Sequence, residues 1–386
     1  MAFQQVNVIN VSYRQTKAIV PVGRLALKDR KIFFEYAHSF LNSGLELSPF
    51  KLPLKPGITV CEDRVFDGLF GVFNDSLPDG WGRLLLDRKV MKAGVNPGVL
   101  TPLDRLRYVG TRGMGALVYE PEIMNSKETK PEQDLDVIAE ECFALQENDD
   151  DSFVDELLAL NGSSAGARPK ILIKLGNDNW IIKFRSSFDP KDSGPIEYAY
   201  HLMAKAAGLD VPEARLFNSK TGDGYFGVKR FDAQNTCVHM HTVSGLLHAD
   251  HRIPSLDYET VMQSTLWLTK DSRECERQFR NAVFNVLAHN RDDHSKNFSY
   301  LMSADGVWRV SPAYDLTFSS GPAGEHCTTI MGEGKNPGVS HLLKLAQVAS
   351  INQNKALEII DHVKEAVARW AQFAKVARVK SLITIS

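Results

Sequence analysis

An aspartate and an asparagine five positions apart, Asp292 and Asn297, stand in the run Asn290-Arg291-Asp292-Asp293-His294-Ser295-Lys296-Asn297. The run follows an apolar helical pattern (Phe279, Ala282, Val283, Phe284, Val286, Leu287) and precedes an expected strand at Phe298–Met302. It matches the R-D-x-x-x-x-N part of a kinase catalytic loop, with Asn290 where a histidine is usual. The spacing suits phosphoryl transfer: Asp292 can take the proton of an attacking hydroxyl while Asn297 reaches a Mg²⁺ on the same phosphates. Polar groups packed this densely between a buried helix and a strand are costly unless used. The plain alternative is a capped turn between helix and strand.

Three further pieces stand in the order that ATP-dependent phosphoryl transfer requires. The loop Asn161-Gly162-Ser163-Ser164-Ala165-Gly166-Ala167-Arg168-Pro169-Lys170 has small residues that let backbone N–H groups approach phosphate oxygens. It leads into a strand and lacks G-x-x-x-x-G-K-[ST], so it is not a Walker loop. Lys183 closes the apolar strand Trp180–Phe184, where a kinase needs a lysine for the α/β-phosphates, and Glu197 near the start of the next helix is its partner. Asp315, in Ser311-Pro312-Ala313-Tyr314-Asp315-Leu316, follows the hairpin of Phe298–Met302 and Val307–Val310. A kinase places its second metal-holding aspartate there, and Tyr-Asp-Leu stands for Asp-Phe-Gly. Taken singly, these read as a surface loop, a solvated lysine and a helix cap. Their order along the chain unites them.

The elements that must carry these residues fall into two regions. Residues 1–123 read as β-rich, with strands at Asn7–Val11, at Lys17–Leu27 interrupted by Pro21-Val22-Gly23, at Lys31–Tyr36 and at Met114–Tyr119. The turn Asn74–Gly80 precedes a helix that Asp79 is placed to cap, and a second helix spans Thr101–Tyr108 before Gly110. A polar, acidic stretch over 124–152, read as a solvated linker around an amphipathic helix (Leu135, Ile138, Ala139, Cys142, Phe143), sets a boundary near 124. Residues 124–386 form the second region. A small lobe over about 150–235 holds two hairpins, Lys170–Leu175 with Trp180–Phe184 and Glu213–Phe217 with Gly224–Phe231, and the helix Ile196–Ala207. A helical lobe over about 236–386 holds Asp257–Leu268, Arg273–Asn290 and Asn354–Ala374. The expected class is α+β, a protein-kinase-like bilobal fold with a β-rich N-terminal domain. His239-Met240-His241 is expected in a polar loop, His248 and His251 in a loop or cap, and His289 in packing.

Composition narrows the function classes. In 386 residues, 45 Lys and Arg against 47 Asp and Glu leave a net charge of −2, so the chain as a whole is no basic nucleic-acid or membrane binder. Five scattered cysteines without a C-x-x-C point to a reducing compartment and away from structural zinc. No signal-peptide pattern and no apolar run near the ~18 residues of a span are present, so a cytoplasmic protein with no membrane partner is expected.

The run from Gly162 to Lys170, Asp292 to Ser299, and Pro312 to Leu316 resemble the HipA toxin kinases of bacterial toxin–antitoxin systems. Val22-Gly23-Arg24-Leu25, Phe73 to Gly80 and Gly113 to Leu117 resemble the N-terminal part of that family. The resemblance implies a serine/threonine protein kinase using ATP and Mg²⁺, acting on a translation protein such as an aminoacyl-tRNA synthetase. It also implies a helix-turn-helix antitoxin of the HipB type, with operator DNA reached mainly through that partner. By motif, Asp292 resembles the catalytic base, Asn297 and Asp315 the metal ligands, and Lys183 the phosphate lysine. Ala165, Gly166, Ala167, Arg168, Pro169 and Lys170 would line the phosphates. Lys229, Arg230 and Phe231 would form the hinge beside adenine, and His294, Ser295, Lys296 and Asn297 fall in the nucleotide-contacting stretch. Ser163, or Ser164 beside it, sits where family members autophosphorylate; the added charge of about −1.5 to −2 beside ATP would repel it. A non-catalytic co-repressor scaffold and a small-molecule kinase are the other classes to separate.

Overall fold

The computed structural model describes residues 4–14, 18–123, 134–147, 151–161, 166–233 and 237–383. The N-terminal domain is an antiparallel sheet in the order β4-β3-β2-β1-β5, made of β1 (Val8–Arg14), β2 (Ile19–Lys28), β3 (Lys31–Tyr36), β4 (Ile58–Val60) and β5 (Leu117–Glu120). The expected break at Pro21 does not end β2. The register with β1 slips between Val11 and Ser12, which face Gly23 and Pro21, leaving Val22 as the extra residue of a bulge. Ile9, Val11, Leu25 and Phe34 are fully buried beneath it. Among its described residues the domain also holds the α-helices α1 (His38–Leu41), α2 (Gly71–Asn74), α3 (Gly80–Lys92) and α4 (Pro102–Val109). Thr101 and Asp104 close a capping box on α4, which ends at Gly110.

The small lobe, expected from about 150, takes in α5 (Leu135–Glu147) as well, because Ile138, Cys142 and Leu145 pack into its core; α6 (Val154–Asn161) follows, then a sheet in the order β6-β7-β9-β8. Its strands are β6 (Lys170–Leu175), β7 (Asp178–Lys183), β8 (Ala214–Phe217) and β9 (Tyr225–Lys229), and α7 (Ser193–Ala206) lies between β7 and β8. Asp151, expected in a solvated linker, pairs with Arg88 at 3.2 Å.

The helical lobe opens with β10 (His239–Thr242), α8 (Val243–Leu247), β11 (Leu256–Asp257) and α9 (Tyr258–Thr269). The amphipathic α10 (Ser272–Leu287) follows, then β12 (Ser299–Met302), β13 (Trp308–Val310) and β14 (Thr328–Thr329). α11 (Val339–Val348), α12 (Gln353–Ala368) and α13 (Trp370–Ala377) end it. The single helix expected over 354–374 is two, because Arg369 departs to φ −90°, ψ 14° between α12 and α13. No proline or glycine marks that break.

Cores do not follow the lobes. Ile9, Phe34 and Phe73 of the N-terminal domain share one hydrophobic core with Val243, Leu246, Tyr258 and Phe284 of the helical lobe. Trp81, Leu85 and Val90 of α3 instead join a second core with Cys142, Leu157, Ile171 and Ile182 of the small lobe. At the first junction α2 and α8 meet through glycines: a Cβ on Gly71 would fall 1.9 Å from the Gly245 carbonyl oxygen.

Two histidines expected in a polar loop lie in β10 and are buried. The loop reading fails because their polar atoms find partners far upstream: His239 Nε2 donates to the Leu47 carbonyl at 2.9 Å, and His241 Nδ1 donates to Asp75 at 2.6 Å. Asp75 also accepts from the Thr242 N–H and hydroxyl at 2.7 and 2.6 Å. His248, at the left-handed C-cap of α8, accepts from the Gly71 N–H at 2.9 Å, so a cap position is combined with a domain tie.

Candidate active site

A cavity of about 240 Å³ opens where the two lobes and the N-terminal domain meet, with Met114 and Asp79 from the last and Ile181, Lys170, Asn297 and Asp315 from the lobes. The β6–β7 register sets Lys170 directly across from Lys183 at one end of it. Lys183 bridges Glu197 of α7 and Asp315 and sits 5.7 Å over the Phe226 ring. Burial alone would lower the Lys183 ammonium, but Asp315 and Glu197 outweigh it and keep it charged. Burial alone would raise Asp315, and Lys183 and Lys170 reverse that, holding its carboxyl far below the usual range. Asp315 reaches this position from a left-handed backbone at φ 53°, not from a helix cap.

The catalytic-loop candidates are fixed by a polar chain from the helical lobe. The Asn297 amide donates to the Asp292 carbonyl at 2.8 Å. Asn290 donates to Asn285 at 2.9 Å, Asn285 to the Tyr258 hydroxyl at 2.9 Å, and Tyr258 to Asp293 at 2.9 Å. Asp293, fully buried, also accepts from His326 at 2.8 Å and from the Thr328 N–H at 3.3 Å, tying the loop to the segment after Asp315. Asp292 itself is exposed, 3.9 Å from the Cys327 sulfur. Desolvation by the walls around it still raises its carboxyl, with His294 opposing the rise. A carboxylate raised from its ordinary value is a better proton acceptor.

The cavity walls bring together Gly166, Ala167, Lys170, Lys183, Lys229, Arg230, Phe231, His294, Lys296, Asn297 and Asp315. Others stand outside them. Arg168 forks onto Asp189 at 2.9 Å, Pro169 accepts from the Phe184 N–H, and the Ser295 hydroxyl donates to the Ala249 carbonyl at 3.0 Å. Glu197 acts from behind through Lys183. The Lys229 ammonium turns to Asp178 at 2.9 Å and the Arg230 guanidinium to Asp232 at 2.6 Å, so their side chains are engaged elsewhere. Ser163, Ser164 and Ala165 lie outside the described residues.

Sequence reading missed Asp79 and His251. Asp79 occupies the N-cap position of α3, but its side chain makes no cap bond. It instead accepts from the Gly166 N–H and from Lys296 Nζ, the latter at 2.6 Å. Burial would raise its carboxyl; Lys296 reverses that and brings it to about 2. His251 lies 3.9 Å from Asp79 and meets the His294 ring edge-on at 5.5 Å. No local pattern announces partners 87 and 217 positions away.

Donor types bear on a metal. Asn297 spends its amide nitrogen on Asp292, which leaves its oxygen, the atom a hard cation takes, beside Asp315 in the same cavity. Among the described residues no three His, Cys, Asp or Glu converge as a protein-only metal cage. Two oxygen donors fit a cation held jointly with phosphates.

A lysine bracketed by carboxylates from two lobes, with an Asp–Asn loop facing it, defines a kinase-like protein. Residues 13–120 match the HipA N-terminal domain and residues 162–371 the HipA-like C-terminal domain. The chain belongs to the HipA family. It is 25% identical over 210 residues to the putative kinase Y4dM of Sinorhizobium fredii, spanning about half of each chain. Its fold is similar to a chain of the Shewanella oneidensis toxin–antitoxin complex of HipA, HipB and operator DNA, at a TM-score of 0.71 and 18% identity over 97% of this chain and 92% of that one. The Helicobacter pylori proinflammatory kinase CtkA gives a TM-score of 0.36 at 14% identity, over 54% and 92% of the respective chains. No helix among the described residues is long and apolar enough to cross a membrane.

Proposed function

We propose that the chain is an ATP-dependent serine/threonine protein kinase of the HipA toxin type. The observation that carries this reading is Lys183, held between Glu197 and Asp315 while Asn297 is tied to Asp292. An acceptor hydroxyl entering beside Asp292 attacks the γ-phosphorus in line, its proton passes to that carboxylate, and the bond from the γ-phosphorus to the β,γ-bridging oxygen breaks to release ADP. Lys183 and Lys170 orient the phosphates against the small lobe, and the backbone at Gly166–Ala167 approaches them closely. Asn297 and Asp315 would hold Mg²⁺, which when bound neutralises charge on the transferring group. The backbone of Lys229–Phe231 is the hinge for adenine, since the Lys229 and Arg230 side chains are already paired.

The rest of the proposal follows the family. The protein target is a component of translation, an aminoacyl-tRNA synthetase in the first instance, and growth arrest is the consequence. A HipB-type antitoxin restrains the enzyme and carries most of the contact with operator DNA, which suits a net charge of −2. Autophosphorylation falls on Ser163 or Ser164, and the compartment is the cytoplasm.

The test is incubation of the purified protein, beside its Asp292→Ala variant, with labelled ATP, Mg²⁺ and a bacterial lysate. One discrete labelled protein band that the variant does not produce is the expected result. Label only in a small molecule, or equal labelling by the variant, sinks the proposal.

A further inference from the structure

The N-terminal domain reaches the phosphate end of the cleft through three consecutive residues. Asp79 Oδ1 accepts from the Gly166 N–H, and the Trp81 N–H donates to the Gly166 carbonyl at 3.1 Å. Between them Gly80, at φ 42°, lies so near that a Cβ there would fall 2.6 Å from the Ala167 Cα. Both polar groups of the Gly166 backbone are thus taken by one turn, and glycine at position 80 is what permits the approach. The second carboxylate oxygen of Asp79 accepts from Lys296 Nζ at 2.6 Å, and that lysine is itself buried in the catalytic loop. The turn is anchored from behind, because Trp81 is buried in the small-lobe core with Ile171 and Ile182. Asp79 stands at an N-cap where an aspartate usually serves its own helix; here its side chain leaves that role and joins two loops of another domain.

We infer that Asp79 is a positioning residue for the nucleotide: from the N-terminal domain it clasps Gly166 to Lys296 and so fixes the phosphate-facing end of the cleft. The inference rests on the proposed function only in taking this cleft as a nucleotide site. A negative group beside phosphates has an opposite reading, in which Asp79 merely repels them, and the two readings differ in the sign of one measurement.

The measurement is calorimetric binding of MgATP, and separately of adenosine, to the full chain and to its Asp79→Ala and Gly80→Ala variants, each checked for a cooperative melt. A clasp makes Asp79→Ala bind MgATP about tenfold more weakly, on the scale of one charge-assisted hydrogen bond, and leaves adenosine unchanged. Gly80→Ala, which wedges Ala167 away with the carboxylate intact, gives the same split. Tighter or unchanged MgATP binding by Asp79→Ala overturns the inference. Equal weakening of both ligands also overturns it, since that is what general loosening would do. Should Asp79→Ala fail to fold, Gly80→Ala decides alone. If the wild type binds MgATP yet labels no protein, the proposed function falls while the clasp is still decided by these constants.

Discussion

Two places in the molecule join carboxylates to polar partners from distant elements, and they could hardly differ more in use. At the junction of the N-terminal domain and the helical lobe, the Ser48 hydroxyl donates to His241 Nε2 at 3.0 Å while His241 Nδ1 donates to Asp75 at 2.6 Å. That is the relay of a serine hydrolase. Yet Ser48 is 1% exposed and His241 0%, so no substrate reaches them. At the cleft, Asn297 and Asp315 line an open cavity, and Asp292, outside its walls, is exposed. The junction's polar groups satisfy one another; those of the cleft are oriented by their partners and left facing space. Geometry alone does not make a site. Access, and an atom left to do something, decide it.

The contrast is testable because each region should respond in its own currency. Asp292→Asn is the largest expected effect: phosphotransfer falls roughly 10²–10⁴-fold, the usual worth of a general base, with the melting temperature unchanged. A matching loss of stability would erase the distinction. Asp75→Ala should act on stability instead. It strands His241 and Thr242 and costs about 3 kcal/mol in urea-unfolding free energy; because Asp75 and Thr242 also line the cavity, that stability loss, absent from Asp292→Asn, is the measurement that separates the two regions.

Acid should also find the junction. Burial lowers His239 to about 4, with His241 adding to the effect. Between that value and the ~6.5 of an unfolded histidine, the unfolded chain binds more protons, so stability falls as pH drops through this window and levels off below it. From pH 7 to pH 5 the loss from His239 is about 2 kcal/mol, and His239→Gln should flatten the pH dependence of the unfolding midpoint. Smallest of all, Lys229→Ala should leave MgATP affinity unchanged, because its ammonium already faces Asp178. A tenfold weakening would return that side chain to the nucleotide.

The elements of the candidate site were legible because their information is local. Asp292 and Asn297 lie on one loop, Lys183 ends one strand, and the hairpin before Asp315 is visible in alternation and a turn. The two-lobed α+β fold followed from the same signals. What escaped reading depends on distant partners. Asp79 looks like a cap because its own neighbours make it one, and only the approach of Gly166 and Lys296 changes its role. His239 and His241 look polar because Leu47 and Asp75 are far upstream. The break at Arg369 has no local breaker; α13 turns there to pack on α7.

The shared core of the N-terminal sheet and the helical lobe has a consequence for the order of synthesis. The first hundred residues leave the ribosome early, but Phe34 and Phe73 cannot be covered until Val243, Leu246 and Phe284 have followed. Asp315 comes later still. The cleft therefore comes into being only when most of the chain has been made, and a nascent or truncated product carries no working fragment. For a toxin kinase of the kind proposed, that order keeps the cleft silent until the segment carrying Asp315 has been made.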